Sequence, residues 1–147
     1  MNFQDFIASG KVRKGSPDLQ MARSLVRMSD NHRETISSVP CTATSASTIM
    51  TNFYEALREI VEAIAIQDGY KVYSHEAFTY YLKELGEDRI AEKFDRFRKI
   101  RNRINYYGKL IDAPSAQAHS KEISQIILEL KKKHLKSVIE ESGSGSE

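Results

Sequence analysis

At 147 residues, 40% of them apolar and with a net charge of +2, the chain suits one domain around one continuous core. Its longest apolar runs, such as residues 63–66, fall far short of the roughly 20 residues that a membrane-spanning helix needs. The start, MNFQDFIASGK, lacks the basic and apolar stretches of a secretory leader, so a cytoplasmic location is expected, and the single Cys41 excludes an internal disulfide.

In chain order, residues 1–15 form an N-terminal segment. Ser16-Pro17-Asp18 then predicts a helix start: Ser caps free N–H groups, Pro fits the first turn and Asp favours the positive end of the helix dipole. Leu19, Ala22, Leu25, Val26, Met28 and Ile36 give this first helix an apolar face, and Pro40 ends it. Residues 41–48, rich in small hydroxyl side chains, suit a loop running into a cap. Over residues 49–67 two apolar stripes coexist, Ile49/Phe53/Leu57/Ile60/Ile64 and Met50/Tyr54/Leu57/Val61. A helix apolar over so much of its circumference belongs at the centre.

Asp68-Gly69 supplies a left-handed stop. Ser74 is placed to cap a third helix bearing Phe78, Tyr81, Leu82 and Leu85, and Gly86 marks a break or kink before a fourth. Ile90, Phe94, Phe97, Ile104 and Gly108 trace the inward face of that fourth helix. Pro114 opens a fifth along Ile123, Ile126, Ile127, Leu130 and His134. Few alternating β patterns compete. The expected fold is all-α, an antiparallel up-and-down bundle of four to five helices over residues 16–139, with a flexible tail at 140–147.

The modest net charge hides a basic stripe on the fourth helix: Arg89, Lys93, Arg96, Arg98, Lys99, Arg101, Arg103 and Lys109 against Glu92 and Asp95. Such a stripe suits phosphates or is simply a solvated face. Arg101 is singular within it. It stands four residues after Phe97 and three before Ile104, where the apolar stripe calls for an apolar side chain. A guanidinium there must be paired, lie at an interface or face a ligand. The structural alternative is an ion pair with Glu55, Glu59 or Glu62 of the central helix. Asn102, Asn105, Tyr106 and Tyr107 add hydrogen-bonding groups within two turns.

The stretch from Asn52, NFYEALREIVEAIAIQDGYKVYSHEAFTYYLKEL, followed by RNRINYYGK from Arg101, resembles the HEPN superfamily of small helical domains over residues 16–135. The motif of that superfamily is an Arg, usually followed by a polar residue, with a His about four to six positions later near a helix end. Arg101 and Asn102 fit it; Tyr106 stands where the His would be, with Tyr107 next. The resemblance implies a homodimer whose motif helices meet at a cleft, and in active members a metal-independent ribonuclease. It also implies partnership with a minimal nucleotidyltransferase in toxin–antitoxin pairs. This chain carries no Gly-Ser with paired aspartates of that transferase.

Five helical residues leave Arg101 and Tyr106 about 140° apart, so a two-fold interface is the expected way to bring them into one groove. There Arg101 would hold phosphate bidentately. Tyr106, with an ordinary pKa near 10, is a weak general base but can donate a hydrogen bond or stack on a base, although the pairs Tyr80-Tyr81 and Tyr106-Tyr107 read first as core and interface fillers.

The leading expectation is therefore a dimeric module binding RNA or nucleotide phosphates through Arg101, Asn102, Arg103, Tyr106, Tyr107 and Lys109, without a cofactor. One alternative is a metal-independent ribonuclease using Arg101 and Tyr106, helped by Tyr107 or His75. The other is a purely structural protein-interaction domain. His75, at a helix start, reads as solvated or structural because a cation there opposes the dipole. His32, His119 and His134 have no persuasive metal-ligand spacing, and no metal is expected. Lys131, Lys132 and Lys133 suit a solvated helix end.

Overall fold

The computed structural model describes residues 1–139 and is predominantly all-α, a helical bundle. The expected tail at 140–147 lies outside the described residues. Among the described residues the elements follow in order: α1 (Phe3–Ala8), β1 (Val12–Lys14), α2 (Leu19–Ser37), α3 (Ala46–Gln67), β2 (Tyr70–Val72), α4 (His75–Glu84), α5 (Asp88–Tyr107) and α6 (Ala113–His134), with a further helical run at 136–139. The five long helices α2 to α6 are the five predicted segments.

Helix α3 is the axis. Fourteen of its residues are buried, including Leu57, Ile60, Val61 and Ala63 with no exposed surface. Helices α2 and α6 flank it, while α4 and α5 pack on each other and close the bundle. The fully buried Phe94 and Phe97 carry the inward face of α5.

Several boundaries differ from the sequence-based expectation. Helix α2 is capped by Asp18, whose carboxylate accepts the Met21 N–H at 2.9 Å, and Ser16 and Pro17 lie before it. Leu19 and Met28 are 42% and 48% exposed, so they sit off the apolar face. Ser74 occupies the cap position of α4 without a side-chain capping bond. Gly108, expected on the inward face of α5, instead ends that helix at φ 62°. The Lys131 and Lys133 ammonium groups are paired rather than solvated, to Asp30 at 2.8 Å and to Glu129 at 3.1 Å.

Two features have no counterpart in the expectation. Helix α1 starts with a reciprocal capping box, in which Asn2 and Asp5 each bind the other's backbone N–H. It buries Phe3 against Tyr70 and Tyr81, with ring centroids 5.2 and 5.3 Å apart. Strands β1 and β2 pair antiparallel with Val12 opposite Val72, Arg13 opposite Lys71 and Lys14 opposite Tyr70. The ribbon leads straight through Tyr73 and Ser74 into α4, so its position fixes where α4 begins.

Candidate functional site: an arginine held by a tyrosine and a histidine

The apolar stripe of α5 carries Arg101 toward α3 and the first turn of α4. There its guanidinium carbon lies 5.0 Å from the ring centroid of Tyr54, a residue only 1% exposed. A guanidinium Nη also donates to Nδ1 of His75, the first residue of α4. The Tyr54 hydroxyl meets the same Nδ1 at 2.9 Å, and the Tyr54 and His75 rings stack 5.9 Å apart at 23°. Two donors on Nδ1 require that nitrogen to be unprotonated, which puts the imidazole proton on Nε2.

The electrostatics follow from this packing. Burial and the adjacent Arg101 charge push His75 down to about 4, so the imidazole is neutral at pH 7. The dipole argument against a cation at a helix start therefore does not apply to it. Burial raises Tyr54 to about 12, with Arg101 opposing the rise, so its hydroxyl stays a donor. The only formal charge in the cluster is the guanidinium.

The anticipated carboxylate partners of Arg101 are engaged elsewhere. Arg58 binds Glu55 at 2.5 Å and also Glu62, while Glu59, 1% exposed, binds His32 at 2.8 Å. Among the described residues no carboxylate pairs with Arg101. Most of the basic stripe is neutralised: Arg89 by Glu129 at 2.7 Å, Lys93 and Arg96 by Glu122 at 2.8 Å, and Arg98 and Lys99 by Asp95 at 2.7 and 3.1 Å. Among the described residues, its cations without an ion-pair partner, Arg101, Arg103 and Lys109, collect at the C-terminal end of α5.

The predicted site residues divide accordingly. Tyr106 does reach Arg101 within one chain, its hydroxyl accepting from Nη1 at 3.4 Å, because two long side chains bridge the angle between their Cα positions. A two-fold axis is not needed for that contact. Asn102 is half-buried, and Arg103, Tyr107 and Lys109 are exposed outside the hydrogen-bonded cluster. Tyr106 and Tyr107 are 70% and 74% exposed, and Leu110 beyond them 77%. Tyr54 was legible only as part of the core stripe of α3. Nothing local in the sequence marks its hydroxyl as a partner of Arg101.

Among the described residues no group of three or more His, Cys, Asp or Glu side chains comes together as a metal site would require, and no helix is long and apolar enough to cross a membrane. Comparison with protein-family models, with curated proteins and with solved structures finds no match to this chain.

Proposed function

We propose that the chain is a HEPN-like dimeric module that binds RNA or nucleotide phosphates at the Arg101 end of α5, as the partner of a minimal nucleotidyltransferase in a toxin–antitoxin-type pair. The observation that carries the reading is a half-buried guanidinium whose neighbours Tyr54, His75 and Tyr106 are all neutral, with no ion-paired carboxylate among the described residues. Such a group keeps donors and charge available to an anion, and its planar fork suits a phosphate. Arg103 and Lys109 add charge nearby, and the exposed rings of Tyr106 and Tyr107 offer flat surfaces for bases. The same exposed rings with Leu110 form an apolar rim that a two-fold contact would cover. Partnership with a transferase rests on the HEPN resemblance alone.

A second reading, the metal-independent ribonuclease, is favoured by one observation: His75 brings an imidazole beside Arg101 where the local motif has Tyr106. Against it, the Nδ1 lone pair already serves two donors, and a group near 4 is a weak base at neutral pH. Binding without cleavage is the better-supported outcome.

The test is incubation of the purified protein with mixed-sequence RNA in EDTA, reading gel shift and cleavage together. The expected result is a shift without cleavage, weakened about 10- to 100-fold by Arg101→Ala, the worth of a charge-assisted hydrogen-bond pair. Cleavage that His75→Ala abolishes would transfer the assignment to the ribonuclease. Neither shift nor cleavage would leave protein docking as the function.

A further inference from the structure

The β1–β2 ribbon carries an unusual outward face. Its inward side takes the buried Val12 and half-buried Val72, while the exposed Lys14 holds its ammonium 5.7 Å over the Tyr70 ring. By the alternation of strands, Arg13 and Lys71 point the other way, and they stand directly opposite each other in the register. Like charges at opposed positions repel and weaken a two-stranded pair. One step along, the Tyr73 N–H donates to the Lys11 carbonyl at 2.8 Å, which sets Lys11 opposite Tyr73, itself 60% exposed.

The face therefore presents three cations and one open aromatic ring. Among the described residues no carboxylate forms an ion pair with Lys11, Arg13 or Lys71. Arg13, Lys71 and Tyr73, with Lys14, also line an open groove of about 320 Å³ that takes in Gly15 and Gly69. The one carboxylate on its wall, Asp18, is spent on capping α2.

Along the chain this face leads to the Arg101 cluster. Tyr73 is followed by Ser74, whose backbone is extended at φ −135° and ψ 127°, and then by His75. Four residue steps separate Lys71 from His75, at most about 13 Å at the rise of an extended strand.

We infer that the outward face of the ribbon is a second contact surface for single-stranded RNA. Lys11, Arg13 and Lys71 hold phosphates and Tyr73 stacks on a base of a strand whose neighbouring phosphate sits at Arg101. The inference rests on the phosphate-binding reading of Arg101. The occupant follows from charge and ring together. Cations with an interleaved exposed aromatic ring match the alternating phosphates and bases of a single strand, whereas an acidic peptide would use the charges and leave Tyr73 idle. Repulsion between Arg13 and Lys71, a cost in the free protein, becomes an attraction shared by one polyanion.

The test uses the full chain and 5′-labelled oligoribonucleotides of two and ten nucleotides, with anisotropy measured from about 50 to 200 mM salt. The double variant Arg13→Thr/Lys71→Thr keeps strand-forming residues and removes the opposed charges, so its melting temperature should hold or rise. The expected result is about tenfold weaker decamer binding, with the salt slope reduced by about 1.4, the release expected of two single-strand phosphate contacts. Dinucleotide binding should be unchanged. Tyr73→Ala should weaken the decamer about tenfold without altering the slope.

Arg101→Ala should weaken both oligomers. If it does and the ribbon double variant binds the decamer as wild type does, the ribbon inference is overturned while the reading of Arg101 stands. If the double variant loses the decamer but Arg101→Ala binds normally, the Arg101 reading fails and the ribbon stands as an RNA surface of its own. Failure to bind either oligomer, with Lys71-dependent binding of an acidic peptide or of anionic vesicles, would overturn RNA as the occupant.

Discussion

Around Arg101, two groups that resist ionisation surround one that is always ionised. Between about pH 4 and pH 12 neither His75 nor Tyr54 changes charge, so these two neighbours leave the guanidinium field unaltered around neutral pH. An anion docked there would cancel the repulsion that helps hold His75 down, and its pKa should rise. Titration of the His75 ring protons by NMR should show a midpoint near 4 in the free protein, moving upward in saturating phosphate or RNA; an unmoved midpoint would place the anion elsewhere. Stability carries the same signature. Because His75 is harder to protonate in the native state, the unfolded chain takes up its proton first as the pH falls from about 6.5 toward 4, and the native state loses stability over that window. His75→Gln should remove this component, so the difference in melting temperature between pH 6.5 and pH 4.5 should be smaller for the variant than for wild type. Arg101 was visible in the sequence as a charge in an apolar stripe. Tyr54 was not visible as a site residue, because a buried tyrosine at a core position looks the same whether or not its hydroxyl holds an imidazole.

The helices were legible because each long one repeats its apolar positions over several turns, and a 3.6-residue period needs that length to show. The ribbon lacks it: Val12–Lys14 and Tyr70–Val72 are three residues each, too few for alternation to stand out from chance. Helix α1, with six residues, is also too short for its period to show, although the Asn2 and Asp5 capping box is written in its sequence. Where α3 gives way to β2, Gly69 has φ +92° and lies so close to the Gly15 carbonyl that a β-carbon would collide with it. Gly69→Ala should therefore destabilise the protein by roughly 1–3 kcal/mol from the backbone conformation alone, with the collision adding to that in a urea titration. At the start of α2, Asp18→Ala should cost about 1 kcal/mol by leaving the Met21 N–H uncapped.

The whole molecule is organised about α3, so substitutions there should act on global stability. Leu57, with no exposed surface, sits on both apolar stripes of that helix. Leu57→Ala should cost about 2–5 kcal/mol, seen as a lower urea midpoint with little change in slope. The ribbon behaves differently. It joins two stretches of chain that α2 and α3 separate, and its ladder is short and edged by solvent. Contacts of that kind close late and open early relative to a helical core. The Tyr73 and Gly15 N–H groups, bonded to Lys11 and Gly69 across the junction, should exchange with deuterium well before the amides in the middle of α3. Since His75 follows the ribbon by three residues, each such opening slackens one of the three supports of Arg101. The N-terminal strand β1, far from α5 in the chain, is thereby coupled through β2 to a support of the arginine.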